Sequence, residues 1–307
     1  MAGEWRFFGR LTAFGALTLA LLGGTEVAVD AAFQDHCDRK TRAIFAAEQP
    51  FKQVILGTSR SAHGIDPAAL EPDFSFYNFA YNGSGPGYHE RWYRTFRQAQ
   101  AAPELVVIGV DRYVFSHMLD RRFEQDAQHL SLPVLAGLVA DPTVSVSLLL
   151  SNRFALLRHR QALQERLGKP SAYWVDMPHY YKGYVPLRAD RQYLEPSRHE
   201  GIDQPEQRAA FERLLTALRS DGARVVFVHP PEYFPAVGEH PGDPVLADLD
   251  RLAREAGIPF LDYNRALKSE INREARYFVD GAHMSEEGAE VFSRRLAADL
   301  GRALARP

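Results

Sequence analysis

The chain has 307 residues, 46% hydrophobic and 24% charged, with a net charge of -3. That balance excludes the basic footprint of a nucleic-acid binder, and 11% aromatics with recurring apolar runs exclude a disordered chain. A single cysteine, Cys37, excludes an intramolecular disulfide framework and a multi-cysteine zinc or iron–sulfur site.

The first predicted element is a membrane helix. Residues 11–29 (LTAFGALTLALLGGTEVAV) carry one charge, Glu26. The stretch is just long enough to cross a bilayer, which takes about 20 apolar residues. Glu26 at its far end reaches the headgroups, and Arg6 and Arg10 ahead of it favour a cytoplasmic N-terminus. Residues 1–33 are therefore expected to be a signal anchor, single-pass in the inner membrane, with the remaining chain on the periplasmic side. A cleaved signal peptide and an apolar helix packed on the globular part are the other readings. Residues 34–50 are expected to form a connecting helix.

From 51 to 307, strands alternate with helices. Residues 52–56 (KQVIL), 74–79, 105–110 (LVVIGV), 224–228 (RVVFV) and 258–262 (IPFLD) predict strands, the β-branched runs being those of strands covered on both faces. Residues 87–102, 205–220, 243–256 and 285–304 predict helices. The alternation implies an α/β fold, a three-layer αβα sandwich around a parallel sheet. It breaks at about 112–200. There a polar stretch (121–129), an apolar helix-like stretch (132–157) and a Tyr/Trp/His-rich loop (173–193) predict a partly helical insertion.

Function in an open parallel sheet gathers outside the carboxyl ends of its strands. Gly57-Thr58-Ser59-Arg60-Ser61 leaves the first strand, with glycine allowing a sharp turn and Ser59 exposing a hydroxyl. Such a hydroxyl is a nucleophile only when a base takes its proton; a strand-end turn or helix cap is the plainer use. Asp280-Gly281-Ala282-His283 precedes the last helix, after a segment, 277–279, that reads as extended. A carboxylate and an imidazole three residues apart on a tight loop can hydrogen-bond, which fixes the tautomer and stabilises the imidazolium. A polar surface turn is the plainer reading.

Together these two blocks resemble the SGNH/GDSL hydrolase superfamily, from residue 52 to about 304, with Thr58 where that family usually has Asp. The resemblance implies that Ser59 is the nucleophile, His283 the general base and then acid, and Asp280 its orienting partner. It also implies an oxyanion hole built from the Ser59 N–H, a glycine in a second block and an asparagine in a third. Gly83, in the run Tyr77-Asn78-Phe79-Ala80-Tyr81-Asn82-Gly83-Ser84-Gly85, stands for the second. Asp111 occupies the third, where a carboxylate has no proton to donate, and Asn82 is the substitute.

The order of an anchor, VILGTSRS, YNFAYNG, a long insertion and a late DGAH is narrower. It is similar to membrane-anchored SGNH-like proteins that accompany membrane-bound O-acyltransferases in acylating cell-envelope polymers. That similarity implies a cofactor-free, serine-dependent O-acyltransferase, acetyl being the expected group. Its acceptor would be a polysaccharide or other hydroxyl compound, and its partner a membrane-bound O-acyltransferase. A carbohydrate or lipid esterase is one alternative, and a catalytically silent polymer-binding or scaffold protein is another.

Gly83-x-Gly85-x-Gly87 departs from G-x-G-x-x-G and contains Pro86, so no nucleotide loop is expected. His36, Cys37 and Asp38 lack matching ligands nearby, so no metal is expected. Arg60 either binds a substrate carboxylate or phosphate or pairs with a structural acid. Asp111 and His229 are candidate substrate contacts, and His229 is also a rival base. Tyr181, among the loop aromatics Tyr173, Trp174, His179, Tyr180, Tyr184 and Tyr193, is the candidate for stacking on a sugar. These rings suit packing of the insertion or a bilayer interface equally well.

Overall fold

β1 (Gln53–Leu56), β2 (Phe76–Asn78), β3 (Leu105–Gly109), β4 (Arg224–His229) and β5 (Phe260–Asp262) form one sheet in the order β2-β1-β3-β4-β5, and every pairing is parallel. The strand order reverses between β1 and β3, which opens a crevice outside their carboxyl ends. The computed structural model describes residues 2–32, 40, 43–45, 47, 49–116, 139, 146, 154–158, 181–188, 204–238, 242–265 and 270–305. Its helices are α1 (Ala2–Ala32), α2 (Ser59–Gly64), α3 (Pro67–Leu70), α4 (Pro86–Ala99), α5 (Ala155–Arg158), α6 (Pro205–Ser220), α7 (Phe234–Val237), α8 (Pro244–Ala256), α9 (Glu270–Arg273) and α10 (Glu286–Leu304).

Alternation along the strands sorts two apolar layers. Ile55, Leu105, Val107, Val226 and Val228 pack with Phe292, Leu296 and Leu300 of α10. On the opposite face, Phe227 meets Phe211 of α6 with ring centroids 5.4 Å apart. Beyond the end of β2, Phe79 lies against Trp92 and Phe96 of α4. Every residue of β3 is buried, as a strand covered on both faces requires. Each fully buried large side chain of α10 contributes about 1.5–3 kcal/mol. The expected three-layer α/β architecture is the one observed.

Element boundaries follow local chemistry. Thr58, Asp66, Asp243 and Ser285 each accept a backbone N–H from the first turn of the helix they precede, so the predicted helix starts at 243 and 285 are caps. The segment read as extended at 277–279 begins otherwise. Tyr277 closes a 3-10 turn, and Phe278 alone pairs, with Met284. The reason is close packing: a Cβ at Gly288 of α10 would come within 2.1 Å of the Tyr277 carbonyl oxygen.

The chain divides into two compact units, Met1–Asp38 with Glu124–Asp176, and Arg39–Phe123 with Met177–Pro307. The second carries the sheet. The first carries α1, whose segment Gly9–Val29 spans 21 residues at a mean hydropathy of 1.5. At about 1.5 Å per residue it matches a hydrocarbon core of about 30 Å. Its apolar side chains, Leu11, Phe14, Leu17 and Leu19 among them, are exposed. Of the expected connecting helix, residues 40, 43–45, 47 and 49–50 are described; His36, Cys37 and Asp38 lie outside. Of the expected insertion, the stretch 121–129 and Tyr173, Trp174, His179, Tyr180 and Tyr193 also lie outside the described residues.

Candidate active site

Gly57 follows β1 with φ +140°, in the region that favours glycine. A Cβ there would meet Ser61 Oγ at 2.6 Å, and one at Gly109 would overlap it at 1.6 Å. α2 can thus start hard against the carboxyl ends of β1 and β3. Thr58 caps it, accepting from Arg60 N and donating to Asp111 Oδ2 at 3.4 Å. A hydroxyl plays both parts where a second carboxylate would face Asp111 with like charge. Ser59 is the first residue of α2, where a backbone N–H has no intrahelical acceptor.

The second block is a closed loop. Val279 N donates to His283 O at 2.9 Å, and Asp280 Oδ1 accepts from Ala282 N at 2.7 Å and His283 N at 2.8 Å. Asp280 Oδ2 then accepts from His283 Nδ1 at 2.7 Å. Burial opposes ionisation of Asp280. The hydrogen bond and charge of His283, with the two backbone donors, outweigh it and hold the carboxyl down at about 2. A carboxylate at Nδ1 leaves the Nε2 lone pair of a neutral imidazole outward. Nε2 lies 2.7 Å from Ser59 Oγ, across 224 positions of chain. Ser59, His283 and Asp280 therefore form one continuous hydrogen-bonded chain.

His63 was missed in the sequence, although Ser59 and His63 are separated by one helical turn and so share a face of α2. Its ring meets that of His283 edge-on, centroids 6.0 Å apart at 72°, and Nδ1 donates to Val185 O at 2.7 Å. Burial lowers its pKa from 6.5 to about 4; the Val185 bond opposes this, and the nearby charges of His283 and Lys40 reinforce it. An unfolded His63 takes a proton near 6.5 and the folded one only near 4, so stability falls as pH drops through that window. The wild type is expected to lose about 3 kcal/mol more than His63→Gln between pH 7 and pH 4. Urea unfolding at both pH values measures this, and equal losses would contradict it.

The oxyanion candidates lie in a turn pinned to Gly57. Tyr81 N donates to Gly57 O at 2.8 Å, and Ser84 Oγ donates to the same oxygen at 3.2 Å. Gly83 sits between them with φ +64°. The Asn82 side chain faces His63, and its hydrogen bond to that ring favours the protonated form, against the effect of burial.

Three expected substrate contacts have a different employment. Arg60 is 8% exposed and pairs with Glu232, and its Nε lies 3.6 Å from Asp111 Oδ2. Asp111 also accepts from Tyr113 N at 2.7 Å. Burial opposes both charges, yet Asp111 and Glu232 raise the Arg60 pKa, while Arg60, His229 and Arg112 lower that of Glu232. His229 is 1% exposed and its Nδ1 is held by Asp262 Oδ1 at 3.0 Å. All three groups are buried and held by protein partners, and the ion pair read as one of the two roles of Arg60 is present. Tyr181 is exposed, and its hydroxyl donates to Glu71 at 3.1 Å rather than to any atom of the Ser59–His283–Asp280 chain.

No protein-family model matches the sequence, and neither does any curated protein. Solved structures with similar folds include a provisionally described platelet activating factor from Streptococcus pneumonia, at 10% identity and TM-score 0.45, covering 93% of this chain and 99% of that one. A provisionally described acylhydrolase from Bacteroides fragilis aligns at 14% identity and TM-score 0.43, over 89% and 100%. A GDSL-like lipase from Bacteroides thetaiotaomicron aligns at 13% identity and TM-score 0.38, over 86% and 98%.

Proposed function

We propose that the chain is an SGNH-type serine enzyme that passes an acyl group through Ser59 to a hydroxyl acceptor, an envelope polysaccharide above all. The observation that carries this reading is the unbroken hydrogen-bonded chain from Asp280 through His283 to Ser59. Ser59 Oγ attacks the acyl carbonyl as its proton passes to His283 Nε2. Asp280 stabilises the imidazolium, and the N–H groups of Ser59 and Gly83 receive the oxyanion. The tetrahedral intermediate expels the donor's alcohol, which takes the proton from His283. The acceptor hydroxyl then gives its proton to the same nitrogen, attacks the acyl-serine ester and releases Ser59.

Water in the acceptor's place makes the protein an esterase, and the partial exposure of His283 and Asp280, 28% and 37%, favours that second reading. A scaffold role has less support, because a silent domain has no need of an aligned Ser–His–Asp chain. In this proposal α1 anchors the chain in the inner membrane, with Arg6 and Arg10 inside and the sheet-bearing unit outside, beside a membrane-bound O-acyltransferase.

The test uses the full chain in detergent. A fluorophosphonate is expected to label the wild type, and absence of labelling would return the scaffold reading. A chromogenic acyl ester supplied with an oligosaccharide is expected to give acylated sugar. Ester release that ignores the sugar would make the protein a hydrolase.

A further inference from the structure

Glu26 is the one acid within the apolar segment of α1, three residues before its end at Val29 and so about 5 Å inside it. Its carboxylate is not left to solvent. Oε2 accepts from Ala155 N, and Oε1 accepts from Leu156 N at 3.4 Å, so the first turn of α5 is tied to that depth of α1. The residues flanking these two amides, Phe154 and Leu157, are 53% and 47% exposed, and Val139 and Val146 of the same compact unit are 49% and 40% exposed. Between Leu130 and Leu157 the sequence carries charge only at Asp141 and Arg153.

An exposed apolar surface of this kind on a soluble protein marks an interaction site. Here Phe154 and Leu157 flank the amides that bond Glu26, on a helix long and apolar enough to span a bilayer. The pairing of Glu26 with backbone N–H groups also removes the cost of holding an unpaired carboxylate at the edge of the hydrocarbon.

We infer that the insertion carries a second membrane-contact element, with Phe154, Leu157, Val146 and Val139 set among lipid acyl chains of the leaflet that receives the Glu26 end of α1. The occupant of this surface is lipid. The inference rests on the reading of α1 as a membrane span and goes beyond it by assigning these four side chains a place in the bilayer.

The experiment places an environment-sensitive fluorophore on single cysteines in the full chain. In a Cys37→Ser background, Leu17→Cys reports on α1, Phe154→Cys and Val146→Cys on the insertion, and Ser220→Cys on the exposed end of α6. The proteins are reconstituted in phosphatidylcholine vesicles containing lipids spin-labelled on the acyl chain, with iodide as the aqueous quencher. Labels at 154 and 146 are expected to lose fluorescence to the spin-labelled lipid as fully as the label at 17, and to resist iodide, while the label at 220 responds to iodide alone. Lipid quenching at 17 with iodide quenching at 154 and 146 overturns the inference and leaves the anchor standing. Resistance of 154 and 146 to both quenchers also overturns it, because the surface is then covered by protein. Iodide quenching at 17 overturns the anchor itself and the inference with it.

Discussion

Ser59→Ala is expected to lower kcat for ester cleavage by about 10⁶-fold and to abolish fluorophosphonate labelling. The residual rate comes from oxyanion donors and binding alone. The substitution removes the attacking oxygen and spares the fold, because Thr58 caps α2 and alanine suits the first turn of a helix. Asp280→Asn should cost about 10⁴-fold for a different reason. An amide oxygen still accepts from Ala282 N and His283 N, so the loop closes, but an N–H₂ then faces His283 Nδ1 and drives the proton to the wrong nitrogen. Because the residues act as a unit, Ser59→Ala with His283→Ala should be scarcely slower than Ser59→Ala alone. Wild-type turnover in Ser59→Ala would remove the acyl-serine from the mechanism.

Arg60→Met is expected to destabilise the chain by about 3–5 kcal/mol, the cost of breaking a buried ion pair from one side. It leaves Glu232 and Asp111, each 2% exposed, as two carboxylates without their shared cation. Adding Glu232→Gln to Arg60→Met should recover part of the loss, because one stranded charge is removed. Urea unfolding of the detergent-solubilised chain gives the measurement. A normal unfolding midpoint in Arg60→Met with a raised KM would return Arg60 to the role of substrate contact.

The parallel strands and their covering helices were legible because their signals are local. β-branched runs such as LVVIG and caps such as Ser285 are written in neighbouring residues. The Asp280–His283 bond was legible for the same reason, three positions on one tight loop. His63 was overlooked although its i+4 spacing from Ser59 lies on a six-residue helix. The spacing shows a shared face, but the imidazole that this face meets comes from the other end of the chain.

By itself, the amino-acid sequence determined which segments become strands and helices, where a serine leaves a strand and where a histidine gains a carboxylate. Backbone periodicity and turn chemistry act over a few residues, so they survive reading in one dimension. Only the tertiary structure decided that Arg60 is buried between Asp111 and Glu232, that His229 belongs to Asp262, and that Glu26 reaches Ala155 and Leu156. Those outcomes depend on which distant groups burial forces together. Desolvation charges heavily for any ion left without its counterpart, and that penalty is set by surroundings the linear order does not contain.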